Sequence, residues 1–193
     1  MPAPAFGEAF DAVLAAAQTG ESWAYQRLFD WLGRPVASYL RGAGLDDPEG
    51  TANECFLRVF GGIGRFEGSE VRFRSWVFAI AHNLVIDERR RRGRRPQEST
   101  LEGEPGPVVA GAEDAALVAI GDERVRGLLA ELPPDQRDVL LLRVVSDLSI
   151  EDTAAVLGKR PGAVKSLQHR ATAALRRRLE AEAGTIDDEG VSP

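Results

Sequence analysis

The sequence has very few cysteines and histidines, and each shortage excludes a class of protein. Cys55 is the only cysteine among 193 residues, so the chain can form neither an internal disulfide nor a zinc cluster built from several cysteines. The two histidines, His82 and His169, lie among basic residues, with no catalytic triad, metal-ligand spacing or phosphate-binding glycine loop beside them. We therefore expect no enzymatic activity, no metal and no cofactor.

Long apolar runs are also missing. No stretch approaches the ~18 to 20 apolar residues that span a bilayer, and the first residues lack a basic segment followed by an apolar core. A lone cysteine fits a reducing compartment. We expect a cytoplasmic protein with no membrane insertion.

Positive charge is scarce overall but concentrated in two places. The net charge is −6. Residues 65–95 nevertheless hold nine basic and four acidic side chains, and residues 159–178 hold seven basic side chains and no acid. Residues 96–158 between them hold thirteen acids and four bases. Because attraction to phosphate depends on the local field, two basic islands are compatible with nucleic-acid binding despite the acidic total.

Apolar residues recur at helical spacing along most of the chain, and strand-like alternation is absent. Residues 96–116 break this pattern, because they are rich in proline, glycine and acid and contain no base. The sequence predicts an all-α protein in which two small helical domains, 1–95 and 117–180, are joined by an extended acidic linker, 96–116, and followed by a flexible tail, 181–193. The helices expected in the first domain are two across 10–41 divided near Gly20, one from Pro48 to Phe60 capped by Asp46 or Asp47, and one from about Phe73 to Arg92.

The second domain contains the pattern of a helix-turn-helix, "LSIEDTAAVLGKRPGAVKSLQHRATAALRRRL". Ser149 can cap the first helix, Gly158 can turn the chain with a positive φ, and Pro161 suits the first turn of the second helix. The same spacing turns a polar face outward, comprising Arg160, Lys165, Ser166, His169 and Arg170. Such a face can enter a major groove, or it can be an ordinary solvated helix surface; the absence of acid in 159–178 favours DNA.

The first basic island follows an aromatic segment, "RFEGSEVRFRSWVFAIAHNLVIDERRRRGRR". Aromatic side chains interleaved with arginines are what stacking on unpaired bases requires. The other readings are a core helix with a basic end and an arginine tract for nuclear localisation or RNA binding.

These motifs together resemble the ECF (extracytoplasmic-function) sigma factors, promoter-specificity subunits of bacterial RNA polymerase. "DPEGTANECFLRVFGGIGRF" is similar to the family's polymerase-docking helix, "FRSWVFAIAHNLVIDERRRRGRR" to its −10 reader, and "LPPDQRDVLLLRVVSDLSIEDTAAVLGKRPGAVKSLQHRATAALRRRL" to its −35-reading region 4. The resemblance implies a subunit that binds the clamp and flap regions of core RNA polymerase and directs initiation by recognising −35 and melting −10 promoter DNA. An anti-sigma factor is a further candidate partner.

The resemblance also assigns roles to individual residues. It implies that the polymerase site comprises Glu49, Asn53, Glu54, Phe56, Leu57 and Arg58. It implies that −10 DNA is bound by Arg72, Phe73, Arg74, Ser75, Trp76, His82, Asn83 and Asp87, with phosphates held by Arg89, Arg90, Arg91 and Arg92. The implied −35 set is Arg160, Gly162, Ala163, Lys165, Ser166, His169 and Arg170.

Two positions depart from the family pattern, which usually has an acid where Gly50 stands and a Ser or Thr cap where Arg160 stands. Losing a side-chain cap costs about 1 kcal/mol of local helix stability. The main alternative function is a two-domain helix-turn-helix transcriptional regulator that does not dock on polymerase, but this reading leaves the first basic island unexplained. An RNA-binding protein is a second alternative, which leaves the second domain without a role.

Overall fold

The computed structural model describes residues 6–94 and 123–188, and every regular element in these ranges is a helix. Eight α-helices and two 3-10 turns, Gly7–Ala9 and Ile63–Arg65, are present there. The α-helices are α1 (Phe10–Gln18), α2 (Ser22–Gly42), α3 (Pro48–Gly62), α4 (Glu70–Arg94), α5 (Glu123–Ala130), α6 (Pro134–Val144), α7 (Ile150–Leu157) and α8 (Pro161–Asp188). The expected linker, 96–116, lies outside the described residues.

The helices of the first half follow the predicted order. Gly20 separates α1 from α2 with a φ of +90°, a conformation that glycine adopts without a Cβ clash. Asp47 caps α3, since its Oδ1 accepts a hydrogen bond from the Gly50 amide at 2.8 Å. Helix α4 begins three residues before the predicted Phe73, because the Ser69 carbonyl already accepts from the Phe73 amide at 2.9 Å.

The predicted helix-turn-helix is confirmed in α7 and α8. Ser149 Oγ accepts from the Asp152 amide at 2.9 Å, Gly158 has a φ of +61°, and Pro161 is the first residue of α8. Helix α8 runs on to Asp188, so the tail that was expected to begin at 181 is helical over its first eight residues. The residues at the expected boundary, "LEAEA", are good helix formers and give the helix no reason to stop there.

The buried side chains of the two halves form one continuous cluster. Tyr39, Phe73 and Phe78 of the first half are fully buried, and Leu141 and Leu142 of α6 belong to the same cluster. The sequence predicted a separate core for each half, and the joint cluster arises because α6 and α7 pack on α2 and α4. A second, smaller cluster holds the helix-turn-helix together and comprises Val139, Ala154, Val164 and Leu167. No helix in the described ranges is both long and apolar enough to cross a membrane.

Candidate functional site

The outward face of α8 carries the residues predicted to read the −35 element. Val164, Leu167 and Ala171 turn inward and are buried, which fixes the rotation of the helix about its axis. The face opposite them is exposed and comprises Arg160, Gly162, Ala163, Lys165, Ser166, His169 and Arg170. The structure therefore brings the whole predicted −35 set onto one accessible surface.

Local hydrogen bonds shape this face. Ser166 Oγ donates to the Gly162 carbonyl at 3.0 Å, and Arg170 Nε donates to the Ser166 carbonyl at 3.3 Å. Just before α8, Lys159 is paired with Asp135 at 2.8 Å. Within the described part of the chain no acid pairs with Lys165 or Arg170, so these two charges are available to a phosphate or a base edge.

The predicted polymerase site lies along α3, and its members divide into two groups. Phe56 is buried and packs edge-on against Phe29 at a centroid distance of 4.9 Å, so its place is in the core beneath the site. The others are exposed and comprise Glu49, Asn53, Glu54, Leu57 and Arg58. Among the residues whose burial the structure describes, Leu57 is the most exposed large apolar side chain, at 73%. A single exposed leucine is common on protein surfaces, so Leu57 marks a binding surface only together with its place in the predicted polymerase set.

The structure gives a reason for the glycine that stands at position 50. A Cβ built on Gly50 would lie 2.1 Å from Oδ2 of Asp47, the residue that caps α3. A larger residue would displace the capping carboxylate from its present position. Gly50 thus allows Asp47 to approach closely, while Glu49, which is ion-paired with Arg41, supplies the acid of the first turn.

The aromatic side chains at the start of α4 pack on one another. Phe66 stacks on Trp76 with ring centroids 5.1 Å apart and meets Phe73 edge-on at 5.2 Å. Phe73 is fully buried, whereas Trp76 and Phe66 are half-buried. In this conformation Phe73 is a core residue that supports the stack, and the rings that remain partly exposed are those of Phe66 and Trp76.

The polar residues near this stack have different environments. Arg72 is exposed, whereas the Arg74 guanidinium lies over the Trp31 ring at 5.1 Å. Ser75 Oγ donates to the Val71 carbonyl at 3.1 Å. Burial lowers the pKa of Arg74, an effect opposed by the charge of Asp147 in the turn before α7.

Further along α4, His82 is buried while Asn83 and Asp87 are exposed. The His82 Nδ1 lies 2.9 Å from the Tyr39 hydroxyl. Burial lowers the pKa of His82, the charge of Asp138 opposes that shift, and the charge of Arg89 reinforces it. A neutral His82 bonded to Tyr39 holds α4 against α2, and Asn83 and Asp87 remain the members of this group that face solvent.

The arginine block is matched by acidic side chains. Arg89 donates from Nη1 and Nη2 to the two carboxylate oxygens of Asp138, at 2.6 and 2.8 Å. The other three arginines of the block also form ion pairs, which are Arg90 with Asp87 (3.8 Å), Arg91 with Glu88 (2.6 Å), and Arg92 with Glu88 (3.0 Å) and Asp46 (2.8 Å). All three of these are exposed, so a phosphate can replace their partners more easily than it can replace Asp138.

The sequence did not indicate that Asp138 and Tyr39 bond to Arg89 and His82, two of the residues predicted to bind −10 DNA. Asp138 lies 49 residues from Arg89, and only the packing of α6 against the first half brings the two together. At Tyr39 the sequence indicates only a buried position on a helix, and nothing near it indicates a hydrogen bond to His82. Glu88, in contrast, precedes the arginine block directly, and its spacing to Arg91 and Arg92 could have indicated both ion pairs.

Cys55 has no chemical role in this structure. It is buried, its Sγ lies 3.7 Å from the Val77 carbonyl, and burial raises the pKa of the thiol to about 12. A thiol that stays protonated is neither a nucleophile nor a metal ligand. No cluster of potential metal-binding side chains occurs among residues 6–94 and 123–188.

Two family models match the chain. Sigma-70 region 2 matches residues 24–95, which include α3 and α4, and Sigma-70, region 4 matches residues 122–175, which include the helix-turn-helix. The two matches lie in the same order as the two basic islands.

Curated relatives and solved structures agree with these matches. The chain is 34% identical to the ECF RNA polymerase sigma factor BldN of Streptomyces coelicolor over 86% of its own length and 64% of the relative's. It is 34% identical to the ECF RNA polymerase sigma factor SigD of Mycobacterium tuberculosis, covering 86% of this chain and 81% of SigD. CnrH, solved in complex with the cytosolic domain of CnrY, is similar over 90% of this chain and 99% of its own, with a TM-score of 0.66 and 25% identity. RpoE of Bartonella quintana, 23% identical with a TM-score of 0.62, shares the fold.

Proposed function

The chain belongs to the ECF RNA polymerase sigma factors, and on this premise we propose that it binds core RNA polymerase and directs initiation at promoters by recognising the −35 element and melting the −10 element. The observation that supports the proposal is that one chain carries an exposed, acid-free face on α8 in one half and, in the other half, an arginine block on α4 beside an exposed polar face on α3. Such a subunit acts by binding, with no catalysis of its own, in the cytoplasm where polymerase works.

We assign the proposed tasks to separate parts of the chain. Residues 1–95 dock on polymerase and read the −10 element, 96–116 connect the halves, 117–180 read the −35 element, and 181–193 form a C-terminal tail. The exposed α3 residues, with Leu57 among them, suit the polymerase clamp, since a docking surface needs an apolar contact within a polar rim. The α8 face suits the major groove because its basic side chains lie opposite the buried ones.

In the described conformation the second half of the chain covers Arg89, which is part of the proposed −10 reader. Asp138 occupies both outer guanidinium nitrogens of Arg89, and α7 packs against α4. For Arg89 to hold a phosphate, the second half must move away from α4. The 21 residues of the 96–116 segment can span roughly 70 Å when extended, similar to the ~70 Å of two DNA turns, so such a separation is within reach of the chain.

A regulatory partner is also proposed. The sigma factor RpoE was solved in complex with the anti-sigma factor NepR, and CnrH, which is similar along nearly the whole of this chain, was solved with the cytosolic domain of CnrY. An anti-sigma factor that covers the α3 surface or keeps the halves together would prevent docking on polymerase.

Promoter binding with and without core polymerase tests the proposal. A sigma subunit should bind a promoter fragment specifically only in complex with core enzyme, because the acidic 96–158 segment opposes phosphate in the isolated chain. Leu57→Asp should weaken association with core polymerase, whereas Leu179→Asp, which alters an exposed leucine on α8 outside the proposed site, should not. Equal specific binding by the free chain would instead favour a helix-turn-helix regulator.

A further inference from the structure

A glutamine at the end of α1 is bonded to the loop that leads into α4. We name residues 66–69, between the second 3-10 turn and α4, the reader loop, and residues 6–18 the brace. Gln18 Nε2 donates to the Phe66 carbonyl at 2.8 Å and to the Ile63 carbonyl at 3.2 Å. One side chain of the brace thus holds the backbone on the entry side of the reader loop.

The exit side of the loop is bonded to the other end of the brace. Glu70, the first residue of α4, accepts from the Phe6 amide through Oε1 and from the Gly7 amide through Oε2, both at 3.1 Å. These amides begin the Gly7–Ala9 turn, where otherwise unpaired N–H groups favour a carboxylate. The reader loop is therefore fixed to the brace on both sides.

The brace itself is anchored in the core. The Phe6 ring meets Trp31 edge-on at 4.9 Å, and the Phe10 ring lies 5.7 Å from Phe73. Phe10 and Val13 are buried. Because the brace is packed into the core, it can hold the reader loop in a fixed position.

The conformation of the loop depends on a glycine. Gly68 has a φ of +155°, and a Cβ built there would lie 3.1 Å from Cβ of Arg72 and 3.3 Å from Cζ of Phe66. Phe66 carries the ring that stacks on Trp76. Moving the Phe66 backbone would therefore move the aromatic face that is proposed to meet an unpaired base.

We propose that the brace sets the base preference of the −10 reader, with Gln18 and Glu70 as positioning residues that hold the reader loop in the shape that receives an unpaired base. The inference rests on the proposed function and extends it to residues 6–18, which precede the region-2 match at 24–95. A loop ordered before binding loses less conformational entropy on binding and adapts less to a wrong base. Removing the brace contacts reduces discrimination between bases more than it reduces overall binding.

The test uses holoenzyme assembled from core RNA polymerase and the full chain. Wild-type holoenzyme first selects a −10 sequence from promoter DNA randomised at that element. The probes are two fluorescent single-stranded oligonucleotides, one carrying the selected sequence and one with a single base replaced. The measured quantity is the dissociation constant of the altered oligonucleotide divided by that of the selected one. Gln18→Ala should lower this ratio about tenfold, in line with the loss of two hydrogen bonds, with the affinity for core polymerase unchanged.

Gln26→Ala is the matched control, because Gln26 Nε2 bonds only along its own helix, to Asp30 at 2.7 Å, and is exposed. It should keep the wild-type ratio. If Gln18→Ala does not fold, Glu70→Gln tests the other end of the brace, since it keeps the shape of the side chain but replaces one of the two accepting oxygens with an NH2 group that cannot accept from a backbone amide. A wild-type ratio in the folded variant, or an equal loss of affinity for both oligonucleotides, overturns the inference. If wild-type holoenzyme selects no −10 sequence, the proposed function fails first.

Discussion

Arg89 of α4 and Asp138 of α6 form an ion pair with two parallel hydrogen bonds, at 2.6 and 2.8 Å, which joins the two halves of the chain. The Asp138 side chain is 3% exposed and that of Arg89 26%. Burial alone would lower the pKa of Arg89, but the hydrogen bonds and charge of Asp138 outweigh it and raise that pKa. Such a pair is costly to break from one side, since it leaves a buried charge without a partner.

Asp138→Asn is therefore expected to loosen the contact between α6 and α4. The change keeps the shape of the side chain and removes its charge. We expect it to destabilise the packing of the two halves against each other by about 3 kcal/mol. Small-angle scattering of the free chain should show a larger radius of gyration. Asp135→Asn is the matched control, because Asp135 is exposed and pairs with Lys159 within the second half. An unchanged radius for Asp138→Asn would contradict the role given to the pair.

His82 should make stability depend on pH. In the folded chain burial lowers its pKa, whereas in the unfolded chain the pKa returns to about 6.5. The unfolded state then binds more protons at low pH, so this contribution to stability is complete above pH ~6.5 and declines as the pH falls below it. The charged or titratable groups around His82 are Tyr39, Arg89, Asp135, Asp138 and Lys159.

Urea unfolding at pH 7.5 and pH 5.5 measures this effect. The difference in unfolding free energy between the two pH values should be smaller in His82→Gln than in the wild type. His169→Gln provides the control, because His169 is exposed on α8. Equal pH dependence in His82→Gln and the wild type would mean that His82 is not kept neutral by the fold.

Asn83 and Asn53 allow the two proposed tasks of the first half to be separated. Both are exposed, Asn83 on α4 and Asn53 on α3. Asn83→Ala should reduce promoter opening about tenfold, the loss expected for a hydrogen bond to an unpaired base, without weakening association with polymerase. Asn53→Ala should weaken association with polymerase without reducing promoter opening by the holoenzyme that does assemble. Permanganate footprinting reads the first effect and core-enzyme titration the second; the same defect in both variants would indicate misfolding.

Lys165 and Arg170 are expected to differ in how they contact the −35 element. Lys165→Ala should weaken binding to all sequences and lower the salt slope by about one, as a phosphate contact does. Arg170→Ala should cost about 1–3 kcal/mol and relax the preference at one promoter position, as a base contact does. Arg126→Ala, which changes an exposed arginine on α5, serves as control. If both variants transcribe like the wild type at all salt concentrations, α8 presents only a solvated face.

The sequence predicted local features well because each depends on neighbouring residues. The Ser149 cap, the positive φ at Gly158 and the outward set on α8 follow from spacing within one or two turns, and so does a cap of α3 at Asp46 or Asp47, of which the structure shows Asp47. Helix α4 begins three residues before the predicted start, because the Ser69 carbonyl accepts from the Phe73 amide, a backbone bond that apolar periodicity does not report.

Relationships between distant residues could not be predicted in this way. Nothing near Arg89 indicates that Asp138 pairs with it, and nothing near Gln18 indicates that it bonds to the reader loop. Phe73 was expected to stack on DNA because aromatics and arginines alternate there, but its fully buried position depends on how α1, α2 and α4 converge. The roles of the individual DNA-binding and polymerase-binding residues remain predictions.

Transcription in vitro shows whether the chain directs polymerase to promoters. Core RNA polymerase from the protein's own source, with and without the chain, is supplied with fragmented genomic DNA, and the 5′ ends of the transcripts are sequenced. We expect a set of start sites that appear only when the chain is added and share one upstream −10 and one −35 sequence, and we expect Leu57→Asp to reduce the transcripts from them. Start sites identical to those of core enzyme alone would contradict the proposed function.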